Sequence, residues 1–171
     1  MLSILSIKIS KGLLHLRKYE ELLSRNEHLM IKETNTLPYN LSGLTLNHYI
    51  FINSNHSKSK QLETLAEEIA HTQITYGDIR NQNNLLNRKY ELKARRLSYE
   101  ILMPLSEIIE AYKQGVQSMY ELADFFEVSE DFVQQCIRHY KCKYGLNIKH
   151  NGFVIKFEPL QVYEHHSNEN E

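Results

Sequence analysis

The sequence predicts an α+β fold, in which a small N-terminal sheet is followed by a series of helices. An aromatic and β-branched run at 49–52 lies between two asparagines and is typical of a strand. From about residue 59 to residue 145, apolar side chains instead recur at helical spacing. The chain has 171 residues, 42% of them hydrophobic and 24% charged, which is the size and composition of one folded domain.

The net charge and the N-terminal run limit the classes of partner. The formal net charge is -1, so no overall field attracts nucleic acid or an anionic membrane. Residues 1–18 are apolar and basic, but their apolar stretch is too short to span a bilayer. Their charges also do not precede the apolar run, as they would in a signal peptide. We therefore expect an N-terminal extension of a cytoplasmic protein.

The N-terminal half predicts a short helix and then a small sheet. The helix is expected over 19–28. Pro38 and Gly43 interrupt the segment that follows and predict turns. Three short apolar pieces remain and predict a small sheet or a pair of hairpins, at 29–33, 41–46 and 48–53.

The following segments predict helices almost to the end of the chain. A helix capped by Ser59 carries one apolar stripe, formed by Leu62, Leu65, Ala66, Ile69 and Ala70. Further helices are expected at 88–102, at 105–115, and as a pair joined by a short turn at 118–128 and 129–145. Pro104 stops the first of these, and Ser129 and Gly145 bound the last. The alternating segment 153–164, broken by Pro159, predicts a strand.

Two acidic residues and a histidine on the first long helix form a candidate metal site. Glu67 and His71 are four residues apart and share one face, while Glu68 lies about 100° round the helix from Glu67. This pattern suits a metal site with an adjacent general base, and it equally describes a solvated polar face. Glu91 on the next helix is a candidate third ligand, or else the partner of Arg95 one turn later.

The helix pair near the C-terminus has the spacing of a helix-turn-helix. Its second helix begins with Glu130 and Asp131, which would repel phosphate where a DNA-reading helix needs donors. The acidic start argues against direct DNA binding. The apolar residues of the pair are more simply explained as a packed helical hairpin.

The motifs in their order resemble one known family over about residues 19–162. The order LAEEIAH, TYGDI, NRKYELKARRLSYEILMPLSEIIEAYKQG, YELADFFEVSEDFVQQCIRHYKCKYG and FEPL is similar to the ImmA/IrrE family of metallopeptidases, in its phage and mobile-element branch. The resemblance implies a zincin-like zinc endopeptidase that cleaves a helix-turn-helix repressor, and so derepresses prophage or mobile-element genes. No membrane partner is implied.

The resemblance also assigns roles to single residues. His71 matches the second histidine of the family's H-E-x-x-H motif, Glu68 the base and Glu91 the ligand on the next helix. Glu67 stands where the first histidine belongs. A glutamate there is a possible zinc ligand, but two carboxylates would neutralise most of the metal's charge and let manganese compete. The alternative is a vestigial, metal-free site in a non-enzymatic antirepressor or DNA-associated regulator.

The resemblance further implies how a substrate would bind and where the domain ends. In zincins an edge strand beside the active helix holds the substrate as an added strand. The residues expected in that role are Tyr49, Ile50, Phe51, Ile52 and Asn53. The zincin-like domain is expected over 19–162, with a helical subdomain at about 105–145 and a disordered tail at 163–171.

Overall fold

The structure, a computed structural model, describes residues 17–46, 48–74 and 84–165. The chain forms two compact units, one reaching to Ala94 and the other beginning at Arg95. The boundary between the units lies within a helix. None of the described helices combines the length and apolar composition needed to cross a bilayer.

The first unit is built from a helix, a three-stranded sheet and a second helix. Helix α1 (Arg17–Arg25) precedes the three strands, which are β1 (Met30–Thr34), β2 (Gly43–Leu46) and β3 (Tyr49–Asn53). Helix α2 (Lys58–Ile74) follows, and helix α3 (Asn84–Leu102) runs from the first unit into the second. The short helix and the sheet predicted from the sequence are therefore confirmed. The N-terminal extension, apart from its last two residues, lies outside the described residues.

The order of the strands corrects one prediction. The sheet has the order β1-β3-β2, with β3 parallel to β1 and antiparallel to β2. All five residues of β3 pair with β1, and Tyr49 to Ile52 also pair with β2. The prediction that 49–53 forms an edge strand is therefore wrong. Apolar alternation identifies a strand but does not say which strands flank it, because the long-range pairing with β1 leaves no local signal.

Helix α2 packs against one face of this sheet. The predicted apolar stripe is confirmed, since Leu62, Leu65, Ala66, Ile69 and Ala70 are all buried. Ile50 and Ile52 of β3 are fully buried. The helix begins at Lys58, immediately after Ser57, whose hydroxyl accepts from Lys60 N at 3.3 Å. The cap is therefore Ser57 rather than the predicted Ser59.

The second unit contains the helical pair and a second sheet. After α3 come α4 (Leu105–Lys113), α5 (Met119–Phe126) and α6 (Glu130–Tyr144). The strands β4 (Asn147–His150), β5 (Phe153–Phe157) and β6 (Leu160–Glu164) form an antiparallel sheet in that order. The sequence predicted one strand here, because it did not resolve the turns that separate these three. Strand β6 includes the first two residues of the segment 163–171 that was expected as a tail, and residues 166–171 lie outside the described part.

The helical pair packs as predicted. The Ser129 hydroxyl accepts from Phe132 N at 3.2 Å and caps α6, and Gly145 ends the helix with a φ of 84°. Phe126 and Val133 are fully buried, and Tyr140 donates its hydroxyl to Met103 O at 2.8 Å. The pair is thus a hairpin whose apolar side chains form the core of the second unit. Glu130 and Asp131 remain exposed at the start of α6.

Candidate metal centre

Glu67 and His71 lie one turn apart on α2. Both are half-buried, and the His71 side chain retains 20% of its exposure. Ile69 and Ala70, which belong to the apolar stripe, fix the rotation of the helix against the sheet. The packing of α2 therefore decides where the two polar side chains point.

Glu91 on α3 meets these two residues from the neighbouring helix. Its Oε2 lies 3.4 Å from His71 Nε2, and the Glu91 side chain is 60% exposed. One ligand atom from each of Glu67, His71 and Glu91 lies within 4.8 Å of the other two. The structure thus brings together the three residues that the sequence proposed as ligands, although they come from two helices.

The donor set and its spacing fit a divalent metal ion. Two ligand atoms on one zinc ion, each about 2.1 Å from it at tetrahedral angles, are about 3.4 Å apart. The distance between His71 and Glu91 matches that spacing, and the other separations are at most 4.8 Å. Two carboxylates and one imidazole leave a fourth position open, as catalytic sites do.

Glu68 lies beside these residues and is held from the sheet. Thr45 Oγ1 on β2 donates a hydrogen bond of 2.5 Å to Glu68 Oε2. The second carboxylate oxygen lies against Gly43, where an added Cβ would be 2.9 Å from Glu68 Oε1 and 2.5 Å from Thr64 Cγ2. Helix α2 can approach β2 this closely only because residue 43 has no side chain.

The surroundings of Glu68 change its acidity. Burial raises the pKa of the Glu68 carboxyl above its ordinary value, and the negative charges of Glu67 and Glu91 act in the same direction. The hydrogen bond from Thr45 and the charge of His71 lower it, but burial prevails. A carboxylate with a raised pKa is a better proton acceptor, which is the property that a general base needs.

Thr45 and Gly43 were missed by the sequence reasoning. The sequence placed them in the apolar piece 41–46, without any link to the helix. Residues 43 and 45 are two apart on a strand and so face the same side, which was the one signal available. Their contact with Glu68 depends on the long-range packing of α2 against β2.

The residues that the sequence predicted to bind substrate are either buried or on the face of the sheet opposite α2. Ile50, Ile52 and Asn53 have no exposed surface, and the Asn53 amide donates to Leu41 O at 2.9 Å and Pro38 O at 3.1 Å inside the fold. Tyr49 and Phe51 alternate with the buried isoleucines and point away from α2. Because β3 also has both neighbours, it cannot accept an added strand.

Comparisons with known proteins agree with this architecture. Residues 23–138 match the family model Peptidase_M78, described as the IrrE N-terminal-like domain. A solved structure described as a Mycobacterium tuberculosis transcriptional regulator is similar in fold, with a TM-score of 0.55 and 13% identity over 72% of this chain. The chain spans 40% of the length of that protein. No curated protein matches the chain. The family match covers more than half of the sequence, and the chain therefore belongs to the IrrE N-terminal-like peptidase family, with a zincin-like α+β fold.

Proposed function

We propose that the protein is a metal-dependent endopeptidase whose metal is held by Glu67, His71 and Glu91. The convergence of their three ligand atoms within 4.8 Å, beside the half-buried Glu68, is the observation that carries the proposal. Membership of a peptidase family supports the same reaction. Zinc is the metal we expect, with manganese as a competitor because two of the three ligands are carboxylates.

A bound metal ion and Glu68 would have different roles in the reaction. A bound divalent ion would polarise a peptide carbonyl and make a water molecule more acidic. Glu68 accepts the proton from that water, and its raised pKa suits the task. Glu68 then gives the proton to the departing amine, so that no charged amide nitrogen has to leave.

We propose that the first sheet binds the substrate as an extended peptide. Among the residues that the structure describes, strand β2 lies at an edge of the sheet and next to α2. Asn53 N donates to Ser42 O, and ladder bonds alternate along an antiparallel pair, so the main-chain groups of Leu44 face β3. Those of Gly43 and Thr45 face the outer edge. We propose that this edge, rather than β3, pairs with the substrate as an added strand.

We propose a helix-turn-helix repressor as the substrate. Its cleavage in the bacterial cytoplasm would derepress prophage or mobile-element genes. The motif order described above supports this substrate, and the solved structure of similar fold is itself described as a transcriptional regulator. We propose that an extended segment of the repressor adds to this edge, because an edge strand binds a peptide in that conformation.

Metal content and cleavage, measured together, test the proposal. The protein is purified without a histidine tag and assayed on helix-turn-helix proteins encoded beside its gene. A proteome-derived peptide library serves as a second probe, and new termini are detected by mass spectrometry. We expect one metal ion per chain in the wild type, and loss of both metal and cleavage in His71→Ala.

Two further variants separate the roles. Glu68→Gln keeps the metal and loses cleavage, because an amide cannot accept the proton. His28→Ala, which removes an exposed histidine of the same unit, serves as the matched control and retains both. A metal-free wild-type protein that binds a repressor without cutting it would instead support the non-enzymatic antirepressor.

A further inference from the structure

Thr45 makes a short hydrogen bond to Glu68. An ionised carboxylate can only accept, so the 2.5 Å contact has the threonine hydroxyl as donor and Glu68 Oε2 as acceptor. Hydrogen bonds to charged groups are shorter and stronger than neutral ones. The contact is partly buried, which removes much of the competition from water.

The direction of the Thr45 hydroxyl is set by the sheet. Thr45 lies opposite the fully buried Ile50 of β3, and the ladder bonds of its neighbour Leu44 hold the strand in place there. A β-branched side chain has few χ1 rotamers, which leaves the hydroxyl little freedom. Glutamate, by contrast, has a long side chain that loses considerable rotamer freedom when it is ordered. The Thr45 hydroxyl, whose direction is restricted, therefore restricts the conformations of the Glu68 side chain.

Gly43, on the same strand as Thr45, leaves space for the Glu68 carboxylate. Glu68 Oε1 and the methyl group of Thr64 both lie in the space that a side chain at position 43 would fill. The Thr64 hydroxyl donates to Lys60 O at 2.7 Å, which fixes the direction of that methyl group. The carboxylate of Glu68 is thus held by a hydrogen bond at one oxygen and by close packing at the other.

We infer that Thr45 is a positioning residue for Glu68, and that β2 holds the base and the substrate on one rigid element. The inference rests on the proposed function, in which Glu68 is the base and the outer edge of β2 pairs with the peptide. Because β2 would hold both the Glu68 carboxylate and the substrate peptide, the distance between the base and the scissile bond depends little on movements elsewhere in the protein. A misplacement of about 1 Å can cost about 100-fold in rate.

Two substitutions at position 45 test the role of the hydroxyl. Thr45→Val keeps the branched shape and strand preference but removes the donor, whereas Thr45→Ser keeps the donor and removes a methyl group. A fluorogenic peptide, taken from the sequence that the library shows to be cut best, gives kcat and KM separately. We expect Thr45→Val to lower kcat by about 10- to 100-fold with KM and metal content unchanged, and Thr45→Ser to restore most of kcat.

A double substitution shows whether Thr45 acts through Glu68. In the Glu68→Gln background, Thr45→Val should not lower the residual cleavage rate, measured at high protein concentration, any further, because the base it positions is already absent. A Thr45→Val variant with wild-type kcat, in a protein that cleaves the peptide, overturns this inference alone. Equal losses in Thr45→Val and Thr45→Ser, with a parallel fall in metal content, also overturn it, because they indicate a purely structural role.

The contact itself is tested without catalysis. Urea unfolding of the wild type, Thr45→Val, Glu68→Ala and the double variant gives a cycle of unfolding free energies. A functioning hydrogen bond makes the cost of Thr45→Val smaller when Glu68 is absent. Additive costs overturn the inference whether or not the protein is a peptidase. If the wild-type protein cuts none of the probes, the proposed function is wrong. The cycle of unfolding free energies still decides whether Thr45 holds Glu68.

Discussion

His71 Nε2 lies 3.4 Å from Glu91 Oε2, and this contact joins α2 to α3. The pair places an imidazole nitrogen and a carboxylate oxygen at the separation of two ligands on one tetrahedral ion. Glu67, one turn before His71, has a carboxylate oxygen within 4.8 Å of both and is the proposed third ligand. We therefore expect the residue at position 67 to set the charge and the metal preference of the proposed site.

Glu67→His should shift the metal preference toward zinc. An imidazole is neutral, so the bound ion keeps more positive charge, and nitrogen ligands favour zinc over manganese. We expect the ratio of zinc to manganese affinity to rise by about tenfold or more. Competition titrations against a chelating dye measure the two affinities. Lys60→His, an exposed change on the same helix, is the control and should leave the ratio unchanged. An unchanged ratio in Glu67→His would show that residue 67 is not a ligand.

Gly43→Ala should destabilise the first unit. The new methyl group would lie 2.5 Å from Thr64 Cγ2 and 2.9 Å from Glu68 Oε1, so the helix or the strand must move. Overpacking of this kind costs about 1–3 kcal/mol, which urea unfolding measures. Thr64→Ser removes the opposing methyl group and keeps the hydroxyl that bonds Lys60 O. Combined with Gly43→Ala it should give a smaller cost than the sum of the two single changes. Additive costs would mean that the two groups do not collide.

Tyr49→Ser should leave cleavage almost unchanged. Tyr49 is 48% exposed and points to the face of the sheet opposite α2. A surface change of this kind alters free energies by about 0.5 kcal/mol at most, or about twofold in kcat/KM. The fluorogenic peptide measures it, with Thr45→Val as the contrasting change in the same sheet. A loss of tenfold or more in Tyr49→Ser would return β3 to the substrate-binding surface.

The second unit should lose stability in acid through Glu100. Burial by itself would raise the pKa of Glu100, but hydrogen bonds from Lys143 at 2.6 Å and His139 at 2.8 Å outweigh it, and the pKa is lowered. The stability gained is present in full above about pH 4.3, the ordinary pKa of glutamate, and is lost as the pH falls through the lowered value.

Thermal unfolding of the wild type and Glu100→Gln at a series of pH values measures this effect. The wild type should have the higher Tm, by a few degrees, at pH 6. The difference should narrow as the pH falls below about 4.3, because protonated Glu100 then resembles glutamine. A difference that persists unchanged to pH 3 would show that Glu100 ionisation does not stabilise the fold.

Local sequence was sufficient to predict the helices. The apolar stripe of α2 repeats at helical spacing, and the same residues are buried in the structure. Ser129 and Gly145 bound α6 as expected, because capping and a positive φ depend on neighbouring residues alone. The shared face of Glu67 and His71 likewise follows from helix geometry. Such features require only the 3.6-residue period and the chemistry of single side chains.

Tertiary structure decided which elements meet. The sequence could not place β1 beside β3 or leave β2 at the edge, because pairing between distant strands has no local signature. On spacing alone, pairing of Glu91 with Arg95 was at least as well supported as ligation, and the packing of α3 brings the Glu91 carboxylate to His71. Gly43 and Thr45 acquire their relation to Glu68 only when α2 lies against β2. The period of a helix or strand fixes the direction of a side chain, whereas the contacts that the side chain makes depend on long-range packing.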